Sequence, residues 1–302
     1  MGIQDAHAAA FACLLQRFAP GAQLTRAWPL VGGVSAEVTA LDYVTSGGDR
    51  QKAVARRHGP VDLARDPHIA AHESRLLQTV CASGLPAPAP LFVDDACDLF
   101  PSPVLVVAYV EGEIVLDPPD LGGYLHQLAN FLAQLHAVDI TSAALDFLPR
   151  LGWQVGPPPA LVDESLSEDM IRRVLANSAP QARGRTVLLH GDFWPGNVLW
   201  RGDQLAAVVD WEDAALGDPL ADVGNARLEI LWALGEAAMT QFTARYQALT
   251  GADYAPLPYW DLRAALRPAG KLGGWGLPPE QEDHIRALHK GFVQQAMAQI
   301  EG

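Results

Sequence analysis

The sequence VLLHGDFWPGNVLW occupies residues 187–200 and joins two apolar runs through a short polar loop. Residues 187–189 and 198–200 have the composition of buried strands, whereas the Pro-Gly pair between them favours a turn. The polar side chains of the loop are therefore held at a strand–loop–strand turn. A further apolar run at 205–209 predicts a buried strand that ends in a carboxylate.

The polar residues of this loop have a defined spacing. His190, Asp192 and Asn197 form the pattern H-x-D-x-x-x-x-N. This pattern matches the catalytic loop of protein kinases, where the aspartate accepts the proton of a substrate hydroxyl and the asparagine binds a metal ion. Asp210, at the end of the next strand, would add a second oxygen ligand, which suits Mg²⁺. The spacing predicts magnesium-dependent phosphoryl transfer.

Length and composition favour a globular protein with two cores. The chain has 302 residues, at the upper end of the roughly 250–300 residues that one core can serve. Its formal charge is −14, and such a field repels nucleic-acid backbones and anionic membranes. We therefore expect no nucleic-acid and no membrane partner. The charge fits a cationic or neutral small molecule, although acidic surfaces serve mainly solubility.

Targeting and redox features predict a cytoplasmic protein. Residues 1–15 have the pattern of an amphipathic helix rather than of a leader peptide, and no run of about 18 apolar residues suggests a membrane span. The three cysteines cannot all pair, and none lies in a C-x-x-C motif, which favours reduced thiols over a metal or redox site. The sequence does not indicate the oligomeric state.

The order of predicted elements indicates an α+β fold. From the spacing of apolar residues, glycines and prolines we predict strands within 29–38, 40–44, 52–57, 91–93 and 104–110, and helices at 1–15, 67–83, 120–138 and 164–175. The sequence thus predicts an N-terminal lobe with an antiparallel sheet at 1–110 and a mostly helical C-terminal lobe at 111–302.

Three motifs occur together in the chain: HGD at 190–192 with Asn197, VDWE at 209–212, and GDPLADVG at 217–224. In this combination the chain resembles the aminoglycoside phosphotransferase family, which includes choline, homoserine and fructosamine kinases. The resemblance implies a two-lobed protein-kinase-like fold, ATP or GTP as phosphate donor, and Mg²⁺. It also implies a small-molecule hydroxyl as acceptor, bound by the C-terminal lobe, with the nucleotide bound by the N-terminal lobe.

The resemblance further implies roles for individual residues of the motifs. Asp192 would be the catalytic base, and Asn197 and Asp210 would be the magnesium ligands. Asp222 would support the loop, and His190 would orient it rather than carry protons.

In the N-terminal lobe the resemblance implies a nucleotide site. Gly32, Gly33 and Ser35 would form the turn over the phosphates. Arg56 would grip the phosphates from the third strand and pair with Glu73 on the following helix.

Some of these residues have alternative interpretations. The family usually has a lysine where this chain has Arg56, and the adjacent Arg57 leaves open which of the two points inward, although strand alternation favours Arg56. An ordinary hairpin turn also accounts for Gly32 and Gly33, because the full G-x-G-x-x-G pattern is absent. Solvated surface charges also account for Arg56 and Glu73.

The acceptor is not specified by the sequence. Trp194 and Trp211 are the tryptophans expected near substrate, and the segments 259–263 and 271–275 are expected to line its pocket. An aminoglycoside, a macrolide, choline, a sugar or another alcohol fits the same chemistry. Two other functions remain open. One is a regulatory, nucleotide-binding pseudokinase, suggested by Arg56, and the other is a metal-dependent phosphohydrolase, although those sites usually need more histidine ligands.

Overall fold

The chain folds into two compact units. The structure is a computed structural model that describes residues 3–30, 36–141, 145–178 and 185–301. The first unit comprises Met1–Glu111, Leu145–Phe147 and Ala206–Glu212. The second unit comprises Gly112–Ala144, Leu148–Leu205 and Asp213–Gly302. Two short segments from later in the chain thus belong to the first unit.

The first unit is built on a five-stranded antiparallel sheet. Its elements in chain order are α1 (Ile3–Phe18), β1 (Gln23–Pro29), β2 (Ala36–Val44), β3 (Arg50–His58), α2 (Pro60–Arg65), α3 (Ile69–Ala82), β4 (Pro90–Asp94) and β5 (Val104–Ala108). The strands lie in the order β1-β2-β3-β5-β4, and each neighbouring pair is antiparallel. The antiparallel N-terminal sheet predicted from the sequence is confirmed.

Helices cover both faces of this sheet. Phe11 and Leu14 of α1 pack in one core with Val106 of β5. Leu105, next to Val106 in the strand, is also buried, so the opposite face is covered as well, because successive strand residues point to opposite sides. The helix α3 packs against β3, β4 and β5 and buries Leu77.

The register of β3 separates its two adjacent arginines. Arg56 pairs with Leu105, and Arg57 pairs with Val104. Val104 belongs to the core that contains α1, and directly opposed residues of two strands share a face. Arg57 therefore lies on the α1 face of the sheet, and Arg56 lies on the other.

The second unit is mostly helical. Between residues 112 and 301 the elements are α4 (Leu121–Leu135), α5 (Glu168–Asn177), β6 (Val187–Leu189), β7 (Val198–Arg201), β8 (Gln204–Val208), β9 (Ala215–Gly217), α6 (Leu220–Leu234), α7 (Glu236–Thr250), α8 (Leu257–Ala265) and α9 (Pro279–Glu301). The helix α6 is buried over most of its length and packs against α7, α8 and α9. Across the described ranges, no helix combines the length and the apolar composition needed to cross a membrane.

The strands on either side of the polar loop do not pair with each other. The strand β6 pairs with β9, and β7 forms a separate two-stranded sheet with β8. The loop at 190–197 therefore connects two small sheets and ends in a 3₁₀ turn, Pro195–Asn197. The helix predicted at 164–175 is interrupted at Ser167, whose φ of 60° ends one short 3₁₀ turn before α5 begins.

Candidate active site

A buried carboxylate fixes the backbone of the 190–197 loop. Asp222, in the first turn of α6, is 1% exposed. Its Oδ2 accepts a hydrogen bond from the N–H of His190 at 2.7 Å, and its Oδ1 accepts one from the N–H of Gly191 at 2.9 Å. His136 Nε2 lies 3.2 Å from Oδ2. Burial raises the pKa of Asp222, but the hydrogen bond and charge of His136 outweigh it and the pKa is lowered. The carboxylate is therefore ionised.

The loop makes its tightest approach at Gly191. This residue has a φ of 83°, in the left-handed region that favours glycine. A Cβ atom placed on it would lie 2.0 Å from the carbonyl oxygen of Asp213. Only glycine therefore allows the loop to lie against the backbone of the segment before β9.

The carboxylate of Asp192 is hydrogen-bonded through both oxygens. Its Oδ2 accepts from Asn197 Nδ2 at 3.1 Å, and its Oδ1 accepts from Arg267 Nη2 at 2.7 Å. The N–H of Asp192 donates to Nδ1 of the buried His190 at 3.2 Å. A ring nitrogen that accepts a hydrogen bond carries no proton, so His190 acts here as an acceptor for the loop backbone. These contacts fix the direction of the Asp192 carboxylate.

Asn197 and Asp210 offer oxygen donors of the kind that Mg²⁺ prefers. Asn197 uses Nδ2 to donate both to Asp192 Oδ2 and to the Asp192 carbonyl, so Oδ1 is the atom that it would present to a metal ion. Asp210 has a φ of 67°, which is uncommon outside glycine and is often found at functional sites. Among the described residues, no three His, Cys, Asp or Glu side chains form a metal-binding group. A magnesium ion held by either residue would take nucleotide and water oxygens as its other ligands.

A second group of charged side chains lies in the first unit. This Arg56 cluster consists of Arg56, His58, Glu73, Asp210 and Glu212. Arg56 Nη2 lies 3.1 Å from Asp210 Oδ1 and 3.4 Å from Glu212 Oε2. Arg56 Nε lies 3.5 Å from Glu73 Oε1, and His58 Nε2 lies 2.7 Å from Glu73 Oε2. The predicted partners Arg56 and Glu73 are thus brought together with Asp210.

The central pair of the Arg56 cluster is ionised. Burial lowers the pKa of Arg56, but the charges of Glu73, Asp210 and Glu212 raise the pKa by a larger amount, so the net shift is upward. Burial raises the pKa of Glu73, but the charge of Arg56 and the hydrogen bond with His58 outweigh it, and the net shift is downward. A guanidinium and a carboxylate therefore face each other inside the unit.

Arg57 takes no part in the Arg56 cluster. Its guanidinium lies 4.8 Å from the ring centre of Phe100 and pairs with the exposed Glu37. The side chain that reaches the carboxylates is thus Arg56, the one that strand alternation favours. One predicted group lies outside the described residues, namely Gly32, Gly33 and Ser35.

The sequence of the chain matches a known protein family. The model of the phosphotransferase enzyme family matches residues 6–263 of the chain. The chain belongs to the phosphotransferase enzyme family. The match includes the 190–197 loop and the Arg56 cluster, and it confirms the resemblance that the HGD, VDWE and GDPLADVG motifs carry.

Curated relatives of this phosphotransferase-family chain differ in length. Acyl-CoA dehydrogenase family member 11 of Gallus gallus is 28% identical over 222 residues, which cover 66% of this chain and 28% of that protein. Viomycin phosphotransferase of Streptomyces vinaceus is 26% identical over 264 residues, which cover 79% of this chain and 88% of that protein. The chain thus spans well under half of the first relative and most of the second.

A solved structure shows the same fold. The amicoumacin kinase in complex with AMP-PNP, Ca²⁺ and Ami has a TM-score of 0.67 and 13% identity, with 97% of this chain and 95% of that chain covered. At this identity the likeness concerns the fold alone. The predicted α+β, kinase-like fold class is confirmed.

The sequence of this phosphotransferase-family chain does not predict His58 or Arg267 as site residues. His58 contacts Glu73, and Arg267, in the turn after α8, contacts Asp192. The position of His58 could have been predicted from the sequence, because His58 lies two residues after Arg56 on β3 and so points to the same face of the sheet. The position of Arg267 could not, because 75 residues separate it from Asp192.

A partly buried acid on α6 lies within electrostatic range of Asp192. Burial and the negative charge of Asp192 raise the pKa of Glu229 to about 8, although the nearby Arg267 lowers it. At neutral pH the Glu229 carboxyl is therefore mostly protonated. The sequence motifs do not point to this residue.

A cavity of about 220 Å³ opens beside the 190–197 loop in the second unit. Its wall includes Gly191, Arg263 and Arg267. Two further residues of the wall have buried polar atoms without a hydrogen-bond partner, Asn225 Oδ1 and Trp260 Nε1. Trp260 and Arg263 come from the predicted acceptor segment 259–263.

Other residues predicted on the acceptor side have different surroundings. Leu272, in the segment 271–275, packs in a separate core with Leu166. Trp211 is 2% exposed and donates through Nε1 to the carbonyl of Val208 at 2.9 Å, as a core residue of the first unit. Trp194 is half-buried, and its ring lies against Gly196, two residues further along the loop.

Proposed function

We propose that the protein transfers the γ-phosphate of ATP or GTP to a hydroxyl group of a small molecule, in a reaction that requires Mg²⁺. One observation carries this proposal: Asp192 is held through both carboxylate oxygens in a loop whose backbone is fixed by Asp222. A base in a fixed direction is what in-line phosphoryl transfer needs. Membership of the phosphotransferase enzyme family supports the same reaction class.

In the proposed reaction Asp192 orients the acceptor hydroxyl and accepts its proton. The hydroxyl oxygen forms a bond to the γ-phosphorus, the bond from that phosphorus to the bridging oxygen breaks, and the nucleoside diphosphate leaves. Asp222 holds the N–H groups of His190 and Gly191, so the base does not have to be ordered during the reaction. Positioning would supply most of the rate.

The donor phosphates are assigned to Asn197, Asp210 and Arg56. Asn197 and Asp210 would hold Mg²⁺, which when bound neutralises charge on the phosphate oxygens. Arg56 would bind the phosphates directly, because a guanidinium can exchange carboxylate partners such as Asp210 and Glu212 for phosphate oxygens. We assign nucleotide binding to residues 1–110, and catalysis and acceptor binding to 111–302.

The acceptor is proposed to use the 220 Å³ cavity beside the loop. Asn225 Oδ1 needs a donor and Trp260 Nε1 needs an acceptor, and an alcohol or polyol supplies both from one hydroxyl.

Cys13, Cys81 and Cys97 are all free thiols. This supports a reducing, cytoplasmic location.

A nucleotide-binding pseudokinase is the second candidate function. It is favoured by Arg56, which stands where the family usually has lysine and is surrounded by three carboxylates. The base and both proposed metal ligands speak for catalysis instead. A pseudokinase would bind nucleotide but hydrolyse none with any acceptor.

The test is acceptor-stimulated ATP or GTP consumption with a panel of hydroxyl compounds, including sugars, choline, an aminoglycoside, viomycin and amicoumacin. With an active acceptor, Asp192→Asn should lower turnover by about 10²- to 10⁴-fold, the usual contribution of a general base. Nucleotide affinity should stay within about twofold, because Asp192 is not assigned to the nucleotide.

The matched control is Asp203→Asn, the same chemical change in the turn between β7 and β8. Its turnover should equal that of the unmodified protein. Full activity of Asp192→Asn would contradict the proposed role of the base. Nucleotide binding without turnover of any acceptor would favour the pseudokinase.

A further inference from the structure

Arg267 makes three contacts with the residues around the proposed base. Its Nη2 donates to Asp192 Oδ1 at 2.7 Å and lies 3.5 Å from Asp213 Oδ2. Its Nη1 donates to the carbonyl oxygen of Gly191 at 2.6 Å. The residue lies just beyond the end of α8, within the second unit. One guanidinium thus joins the loop to the segment that Gly191 approaches.

This arrangement differs from an ordinary surface ion pair. An exposed pair between single charges contributes only about 0–1 kcal/mol, because water screens it and the side chains lose freedom. Two nitrogens of the Arg267 guanidinium donate hydrogen bonds to two adjacent residues of the loop. Because the guanidinium is planar, these bonds fix the direction of the contact as well as its distance. Its contacts restrain both the backbone at Gly191 and the carboxylate of Asp192.

The two oxygens of the Asp192 carboxylate have different partners. Asn197 holds Oδ2, and its position is set by the same loop. Arg267 holds Oδ1 from outside the loop. Without Arg267 the carboxylate would keep the restraint of Asn197 but could rotate about the bond to its Cβ, so its direction toward a hydroxyl would vary.

We propose that Arg267 is a positioning residue, which holds the Asp192 carboxylate in the direction needed for phosphoryl transfer. The inference rests on the proposed function, because it gives Asp192 the role of base. It assigns to the chain a residue outside the HGD, VDWE and GDPLADVG motifs. The opposite role would be that of an inhibitory latch, in which Arg267 blocks the Asp192 carboxylate and its hydrogen bond to Oδ1 must break before the reaction.

The experiment compares Arg267→Gln, Arg267→Lys and the control Arg286→Gln, each assayed with an acceptor that the unmodified protein phosphorylates. Arg286 is a half-buried arginine of the second unit, and it pairs with Glu282 in its own helix rather than with the loop. For each protein kcat, KM for acceptor and nucleotide, and the melting temperature are measured.

Arg267→Gln should lower kcat by about ten- to a hundredfold, the range expected when a reacting group is misdirected. The KM for nucleotide should not change. Arg267→Lys should recover part of kcat, because an ammonium can still donate to Oδ1 but lacks the fork that reaches the Gly191 carbonyl. Arg286→Gln should match the unmodified protein.

Several results would overturn the inference. A kcat of Arg267→Gln equal to that of Arg286→Gln would remove any role, and a higher kcat would show a latch. A loss of kcat that follows a loss of folded protein, with Arg267→Lys no better than Arg267→Gln, would show a purely structural contact. If the unmodified protein phosphorylates no acceptor, the proposed function fails first and the inference falls with it.

Discussion

The Arg56 cluster, in the first unit, and the 190–197 loop, in the second, both contain carboxylates that are assigned to the proposed reaction, but different kinds of contact hold the two regions. Arg56 is surrounded by side chains and is bound almost wholly through charge. The loop is held through its backbone, because Asp222 accepts two main-chain N–H groups and Gly191 fits directly against another main-chain segment.

The difference shows which part can change when ligands bind. Side-chain ion pairs can be exchanged, so a phosphate group can replace a carboxylate beside Arg56 without a change in the fold. Backbone hydrogen bonds to a buried carboxylate have no such substitute, because breaking them leaves polar groups unpaired. The loop is therefore prepared before substrate arrives, whereas the Arg56 cluster can rearrange its partners.

Removing Arg56 should give the largest effect in this comparison. Arg56→Ala leaves Glu73 buried without its main counter-charge, and breaking a buried pair in this way costs about 3–5 kcal/mol. Chemical denaturation measures the loss, and nucleotide titration should show weakened binding. The control is Arg57→Ala, which loses a ring contact and an exposed pair and should cost less than about 1 kcal/mol. Equal losses would show that the cluster does not depend on Arg56.

A change at Gly191 should give the next largest effect and tests the backbone fit of the loop. Gly191→Ala meets both an unfavourable φ and the carbonyl of Asp213, and should cost about 1–3 kcal/mol with a fall in kcat. Gly202→Ala is the matched control, because Gly202 has a φ of 61° but no atom within 4 Å of its added Cβ. If both variants lose the same stability and keep kcat, the close approach has no role.

The smallest expected effect concerns charge beside the loop. The pKa of Glu229 is raised from 4.5 to about 8, so the folded chain binds a proton that the unfolded chain releases near pH 4.5. Stability should therefore fall as the pH rises from about 4.5 to about 8. Glu229→Gln removes this loss, and its melting temperature at pH 9 should exceed that of the unmodified protein by at least about 2–4 °C, the shift that about 1 kcal/mol gives in a large domain. At pH 4 the two should agree.

The control for that measurement is Glu236→Gln, at the exposed start of α7. Its melting temperature should follow the unmodified protein at both pH values. A Glu229→Gln variant that gains nothing at pH 9 would show that this carboxyl is already ionised in the folded chain at neutral pH. Glu229 and Asp192 would then both carry a negative charge beside the 190–197 loop.

The sequence predicted well those features that depend on neighbours in the chain. The strand of Arg56, the helix of Glu73 and the loop from His190 to Asn197 are local patterns of apolar and polar residues, and each is found where it was predicted. The strand β1 was missed, because as an edge strand it alternates poorly between buried and exposed residues.

Features that depend on distant residues could not be predicted. The strands before and after the loop pair with β9 and β8 rather than with each other, and strand composition does not identify a partner. Strand alternation favours Arg56 over Arg57, but only the register of β3 with β5 shows which face of the sheet each arginine occupies. Arg267 lies in the turn after α8 and Glu229 lies in α6, neither of them within a motif, so only the fold brings them near Asp192.

The helix α6 carries Asp222, Asn225 and Glu229 at positions i, i+3 and i+7, which lie on one side of a helix. Asp222 binds the loop backbone at its start, Asn225 Nδ2 donates to the carbonyl of Phe193, and Glu229 responds to the charge of Asp192. The spacing of these residues along the helix therefore matches the spacing of the loop groups with which they interact. One residue inserted after Asp222 would rotate the later two by about 100°. Over evolutionary time this stretch should therefore accept substitutions but resist changes in length.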